Sequence, residues 1–160
     1  MDNLQMIPLT LCLMKSALAA GTTTTYTTTG VTHYLIKGKA YSVAAATNAA
    51  TPTTDVVDGL AFATVSANQG SVYIFGYNAT GAIKVAQGAV EALDASGAFI
   101  LAPQLPVLPD DFCPIGYLVV QAGSTAVGTW TFGTNNNSGV TGLTYTFGSL
   151  GTLPDRPFIS

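Results

Sequence analysis

From Val31 onward the chain is cut into short apolar runs by clusters of turn-forming residues, and this punctuation constrains the fold more than any other feature. The breaks fall at Asn68-Gln69-Gly70, Asn78 to Gly81, Ser96-Gly97, Ala122 to Ser124 and Asn135 to Gly139. Short runs at this spacing are the signature of an all-β sandwich or barrel. Strands are expected at Val31 to Lys37, Ala40 to Ala45, Leu60 to Ser66, Ser71 to Tyr77, Ala82 to Gln87, Ala98 to Leu101, Ile115 to Gln121, Thr129 to Phe132 and Leu143 to Phe147. The first alternates, with His33 and Leu35 on one face and Tyr34 and Ile36 on the other, and Lys37-Gly38-Lys39 turns it into the second as a hairpin. Ala46 to Asp58 reads as a polar loop, and Ala89 to Ala95 has room for one helical turn.

The ends differ from this pattern. In the first twenty residues Pro8 suits a first helical turn, Gly21 suits a C-terminal cap, and Leu9, Leu13 and Ala17 recur at helical spacing. Leu11, Met14 and Leu18 add a second stripe, so the expected short helix needs burial on several sides. Thr22 to Thr29 holds seven threonines around Tyr26, and their branched Cβ atoms favour an extended arm or edge strand. Pro103, Pro106, Pro109 and Pro114 exclude a helix or central strand and imply a rigid extended crossover on the sandwich surface. The organisation is therefore an apolar helix and Thr-rich arm over 1–30, a single mainly-β domain, sandwich or jelly-roll-like, over 31–150, and a tail over 151–160.

One local echo stands out. Thr129 to Gly133 and Thr144 to Gly148 both read Thr-aromatic-Thr-Phe-Gly. In a strand, the aromatics of each copy share one face and the threonines the other. Pairing of the two copies would build an aromatic core and leave a hydroxyl face for solvent or a neighbour.

Composition removes several function classes. Only 8% of the 160 residues are charged, against about 25% in an ordinary soluble domain, and the formal net charge is −3. The five cations are scattered, so the electrostatic footprint of a nucleic-acid binder is missing. High hydrophobicity and low net charge argue against disorder. No run approaches the ~18 consecutive apolar residues of a membrane-spanning helix. Met6 to Met14 resembles the apolar part of a signal peptide, but Asp2 replaces the usual leading cation and Lys15 interrupts the run; the segment is expected to remain in the working protein. Cys12 and Cys113 fit no zinc or redox spacing and are expected as buried free thiols, with a disulfide as the alternative.

No catalytic constellation emerges. His33 is the sole histidine and alternates with Val31 and Leu35, as a core residue would. Asp55 and Asp58, Glu91 and Asp94, and Asp110-Asp111 match no calcium loop and read as turn residues. Gly139 to Gly151 lacks the Gly-Lys-Ser/Thr ending of a phosphate loop. Asn78-Ala79-Thr80 and Asn136-Asn137-Ser138 match the glycosylation triplet, as chance allows in so Asn- and Thr-rich a chain. No enzyme activity, cofactor or metal site is expected.

The text from Phe99 to Trp130 is the most distinctive: Ala102 to Pro106, Leu108 to Phe112, Pro114 to Val120 and Gly128 to Phe132. With the hairpin Tyr34 to Tyr41 and the ending Leu153 to Pro157, it resembles small virion structural proteins of tailed bacteriophages, and is most similar to capsid decoration, or cement, proteins. The resemblance implies a β-sandwich or jelly-roll domain, often trimeric, seated on the major capsid protein at the capsid surface after assembly in the host cytoplasm. A charge-poor surface fits a chain largely covered by neighbours. Leu9, Leu11, Leu13, Met14 and Leu18 are expected to bury against a sister subunit or the capsid, with Pro154, Arg156, Pro157 and Phe158 anchoring the other end. Arg156, the one arginine, suits a bidentate carboxylate contact. The alternatives are a tail or fibre component, or a carbohydrate-binding module with Trp130, Tyr145 and Tyr117 as a stacking platform.

Overall fold

The computed structural model describes residues 9–14 and 16–150, and these form a mainly-β, sandwich-like domain. Its centre is a five-stranded antiparallel sheet. β7 (Gln69–Tyr77) and β10 (Cys113–Ala122) lie side by side, β11 (Leu143–Ser149) flanks β10, and β8 (Ile83–Gln87) and the short β9 (Glu91–Ala92) flank β7. β7 and β10 are apolar on both faces, as a strand covered on both sides must be. Their ladder shifts register between Pro114 and Gly116, which lets a proline sit inside a central strand.

Two three-stranded sheets cover one face. One orders β1 (Leu11–Cys12), β4 (Thr32–Ile36) and β5 (Lys39–Val43); the other orders β2 (Ala17–Ala20), β3 (Thr25–Thr29) and β6 (Ala49–Ala50). The β4–β5 hairpin turns at Lys37 and Gly38, both at positive φ, the geometry that matches strand twist in a two-residue turn. Tyr34, Ile36, Tyr26 and Leu18 from these sheets meet Tyr73, Phe75, Tyr77, Ile115, Leu118 and Val120 in the main core.

Phe132 is the hub of that core. It is fully buried and its ring lies 4.9 Å from Phe62, 5.0 Å from Tyr73 and 5.5 Å from Phe75. Trp130 is buried beside it and donates its indole N–H to the Asn136 carbonyl at 2.8 Å, so its polar edge is satisfied inside the core. On the opposite face of the central sheet, Val72, Ile74, Tyr117 and Val119 are covered by Phe99, Leu105, Leu108 and Phe112. The proline-spaced crossover therefore runs over the sheet as an extended cover.

Several local expectations give way. No helix forms among the described residues: Leu11–Cys12 pairs with Leu35 and Tyr34 of β4, and Ala17–Ala20 pairs with Tyr26 to Thr29 of β3. A helix this short has little stability of its own, whereas the edges of β4 and β3 offer hydrogen-bond partners. Thr129 to Phe132 is not a strand. Trp130 makes one bridge, to Val65, while Gly128 and Gly133 at positive φ and the Thr131 N–H bond to Asn135 Oδ1 bend the chain. The two echo copies consequently do not pair; β11 pairs with β10, and Trp130 meets Tyr145 through their rings at 6.0 Å. Leu60 to Ser66 and Ala98 to Leu101 likewise supply isolated bridges. Residues 89–95 contain β9 in place of a helical turn.

Candidate functional site: an apolar sheet face

In an antiparallel sheet, residues directly opposite one another share a face. The register of the β1-β4-β5 sheet sets Leu11 opposite Leu35 and Leu35 opposite Ala40, with His33 opposite Ser42. The Leu13 N–H donates to the His33 carbonyl at 2.8 Å and the Gly38 N–H to the Leu9 carbonyl at 2.9 Å, which extends the alignment past both ends of β1. The inward set is Cys12, Tyr34 and Ile36, all buried. The outward set is Leu9, Leu11 and Leu13 on one strand with Val31, His33 and Leu35 on the next. Leu9, Leu13 and Val31 are about half exposed, at 54%, 53% and 47%, and Leu11 and Leu35 are half-buried. Beside them Met14 is 51% exposed. Several large aliphatic side chains thus line one small sheet face, with no carboxylate among the described residues of its β1 and β4 strands.

The proposed interface residues divide accordingly. Leu9, Leu13 and Met14 lie on the surface, and Leu11 is at its partly covered centre. Leu18 does not: it is 5% exposed, sits in the main core, and packs against the β10 backbone at Gly116. The cause is the period. In a helix Leu18 continues the stripe of Leu11 and Met14, but in β2 alternation turns it inward between Ala17 and Ala19. Pro154, Arg156, Pro157 and Phe158 lie outside the described residues. Val31 and Leu35 are surface residues that the sequence reading did not single out; the alternation of 31–36 carries that signal once Tyr34 and Ile36 are taken as the core side.

His33 is exposed on this outer face and is not the core residue its apolar neighbours suggest. Both cysteines are free and buried, as expected. Burial pushes the Cys12 thiol up, opposed by a backbone hydrogen bond at Met14, and pushes Cys113 up to about 12 with a further contribution from Cys12 nearby. Asp55, Asp58 and Asp94 act as turn builders. Asp55 accepts from the Val57 and Gln87 N–H groups, Asp58 from the Leu60 N–H, and Asp94 Oδ1 from the Ser96 hydroxyl and from the Ala98 and Ser96 N–H groups, which hold the Asp94 carboxyl below the usual range. Among the described residues the one ion pair joins Lys37 and Asp110 at 4.0 Å, with both side chains exposed. No group of three or more His, Cys, Asp or Glu side chains there could hold a metal ion, and no helix is long and apolar enough to cross a membrane.

Trp130 and Tyr117 are buried, and the Trp130 and Tyr145 rings meet edge-on at 64°, so these three rings form no exposed flat platform. The Asn78 triplet is a turn in which Asn78 Oδ1 accepts from Thr80 and Ala82. No protein-family model, no curated protein and no solved structure matches the chain.

Proposed function

We propose that this protein is a structural component of a tailed-bacteriophage virion, a capsid decoration protein that seats on the major capsid protein as a homo-oligomer, a trimer by the resemblance. The observation that supports this reading is the outward face of the β1-β4-β5 sheet, where Leu9, Leu11, Leu13, Val31 and Leu35 are offered to a neighbour by a well-packed β scaffold. An apolar face on a charge-poor domain suits permanent association, in which the interface resembles a core cut in half. Low charge also suits a shell component whose contacts persist across ionic strengths, because few ion pairs are available to be screened. The phage assignment itself rests on the sequence resemblance.

A tail or fibre position is the second reading, and copy number separates the two: a lattice component occurs in hundreds per particle, a tail part in a handful. The deciding experiment is an electron-microscopy map of the intact particle together with Leu13→Asp and Leu35→Asp variants in a capsid-binding assay. Seating of the β1-β4-β5 face on the lattice, with binding lost in both variants and the fold retained, is the expected result. Absence of the chain from the shell, or undiminished binding by both variants, overturns the reading. Removal of residues 1–21 is a poor substitute, because Cys12 and Leu18 belong to the domain's own core.

A further inference from the structure

The sheet edges of this domain are not treated alike. The outer edge of β8 is covered: the Val56 N–H donates to the Val85 carbonyl at 2.9 Å and the Gln87 N–H to Asp55 Oδ2 at 2.9 Å. The edge of β5 begins at exposed Lys39, and a lysine on an edge opposes strand addition. Among the described residues β11 has neither protection. It pairs with β10 in unbroken register over all seven residues and, among the described residues, is the last strand of the sheet on that side. No charged residue or histidine occurs anywhere from Phe112 to Pro154.

The direction of its backbone groups can be worked out. The Leu150 N–H donates to the Ile115 carbonyl and the Gly123 N–H to the Gly142 carbonyl, which fixes the phase of the β10–β11 ladder. Residues 144, 146 and 148 therefore direct their N–H and C=O groups to β10, and 145 and 147 direct theirs away from it. β2 reaches the far end of this edge, where the Leu18 N–H bonds to Ser149 Oγ. Tyr145 and Phe147 have no backbone partner on the outer side among the described residues.

We propose that β11 is a strand-addition edge through which two copies of this chain pair antiparallel, about a two-fold axis at Thr146. The register is self-complementary. With Thr146 opposite its own copy, Tyr145 of one chain faces Phe147 of the other, and their outward N–H and C=O groups form two hydrogen bonds at each of two such pairs. The same register brings Tyr145 and Phe147 together as a cross-strand aromatic pair and Thr146 against Thr146, with no like charges opposed. A second copy is favoured over a foreign strand because this edge supplies both halves of the match, and main-chain bonds of this kind hold added strands elsewhere. The contact stands independently of the virion reading, and a trimer built on another face could be joined to its neighbour by it.

The test uses the purified full chain without capsids. Thr146→Lys and Thr146→Glu each place like charges opposite one another at the axis, and because Thr146 is only half-buried both variants are expected to keep the fold. Analytical ultracentrifugation is expected to give the wild type twice the mass of either variant, with the doubled mass recovered when the two variants are mixed. Hydrogen exchange on the wild type reads the backbone directly: the Tyr145 and Phe147 amides are expected to slow at least tenfold on going from dilute to concentrated protein. Equal mass for wild type and both variants, or amides at 145 and 147 whose exchange is independent of concentration, overturns the proposal. Protection already present in the dilute, lighter species overturns it too, and assigns the edge to this chain's own terminal residues instead. If a variant misfolds, the exchange measurement on the wild type still decides.

Discussion

Removal of the Phe132 ring is the sharpest perturbation of this fold. The side chain is fully buried and meets Phe62, Tyr73, Phe75 and Trp130 at ring distances of 4.9, 5.0, 5.5 and 6.2 Å. Phe132→Ala forfeits the transfer free energy of the ring and leaves a cavity, a cost of about 3–5 kcal/mol. Tyr73 and Phe75 sit on β7, which is laddered to β10 on one side and β8 on the other, so the walls of that cavity cannot collapse far. Against a domain stability of about 5–15 kcal/mol the loss is large. With a urea dependence of about 2 kcal/mol per molar, the unfolding midpoint should fall by about 1.5–2.5 M. Phe132→Leu, which keeps most of the volume, should lose less, and Val127→Ala, at an 85% exposed position, should stay within about 0.5 kcal/mol. A midpoint shift for Phe132→Ala below about 0.5 M at unchanged slope would refute the view that this loop-borne ring holds the core together.

Three further outcomes are expected. Gly133 has φ +74°, and a Cβ there would collide with the Pro52 carbonyl oxygen, whereas one at Gly139, φ +72°, would meet open space; Gly133→Ala should therefore cost at least about 1 kcal/mol more than Gly139→Ala in the same urea titration. Burial raises the Tyr145 hydroxyl to about 12 and also raises Tyr26 and Tyr73. A folded pKa above the unfolded one gives a stability contribution that is complete below about pH 10 and is lost as pH rises through the folded value, so midpoints should drop between about pH 10 and 12. Tyr145→Phe should lessen that drop, and an unchanged alkaline limb would contradict the assignment. Cys113 is fully buried with its thiol raised to about 12. It should resist a disulfide reagent at pH 8 in the native protein and react promptly in urea; native reaction at the rate of an exposed thiol would count against the core described above.

What is legible in the sequence tracks how locally each element is determined. The Lys37-Gly38 hairpin follows from a turn that demands positive φ, and β7, β8, β10 and β11 follow from runs bounded by Gly and Asn. The proline spacing predicts the extended crossover at Pro103, Pro106 and Pro109, since proline acts on its own backbone whatever surrounds it, but not at Pro114, which lies in the central strand β10 beside the register shift that accommodates it. The N-terminal segment misleads because Leu9, Leu11, Leu13 and Leu18 satisfy helical and extended periods alike over so short a span. Tertiary partners, Tyr34 with Leu35 and Tyr26 to Thr29, decide in favour of strands. Trp130 to Phe132 alternates like a strand, yet its flanking glycines leave it as an irregular segment whose rings fill the core. For the candidate surface, Leu9, Leu13 and Met14 are recognisable as apolar groups in need of a neighbour, while the inward turn of Leu18 depends on a strand that local pattern does not reveal.

The 98–112 crossover gives the domain two faces of unequal toughness. The main core is roofed by hydrogen-bonded sheets, but between residues 101 and 111 no backbone N–H donates to another backbone group among the described residues. The cover is held by Phe99, Leu105, Leu108 and Phe112 resting on the sheet, while Ile100, Leu101 and Val107 project outward at 63%, 67% and 86% exposure. Such a segment can lift as a unit at a free-energy cost well below that of global unfolding. A protease should therefore nick the chain here first and leave two fragments still joined through the β7–β10 ladder, an association that outlives the covalent continuity of the chain.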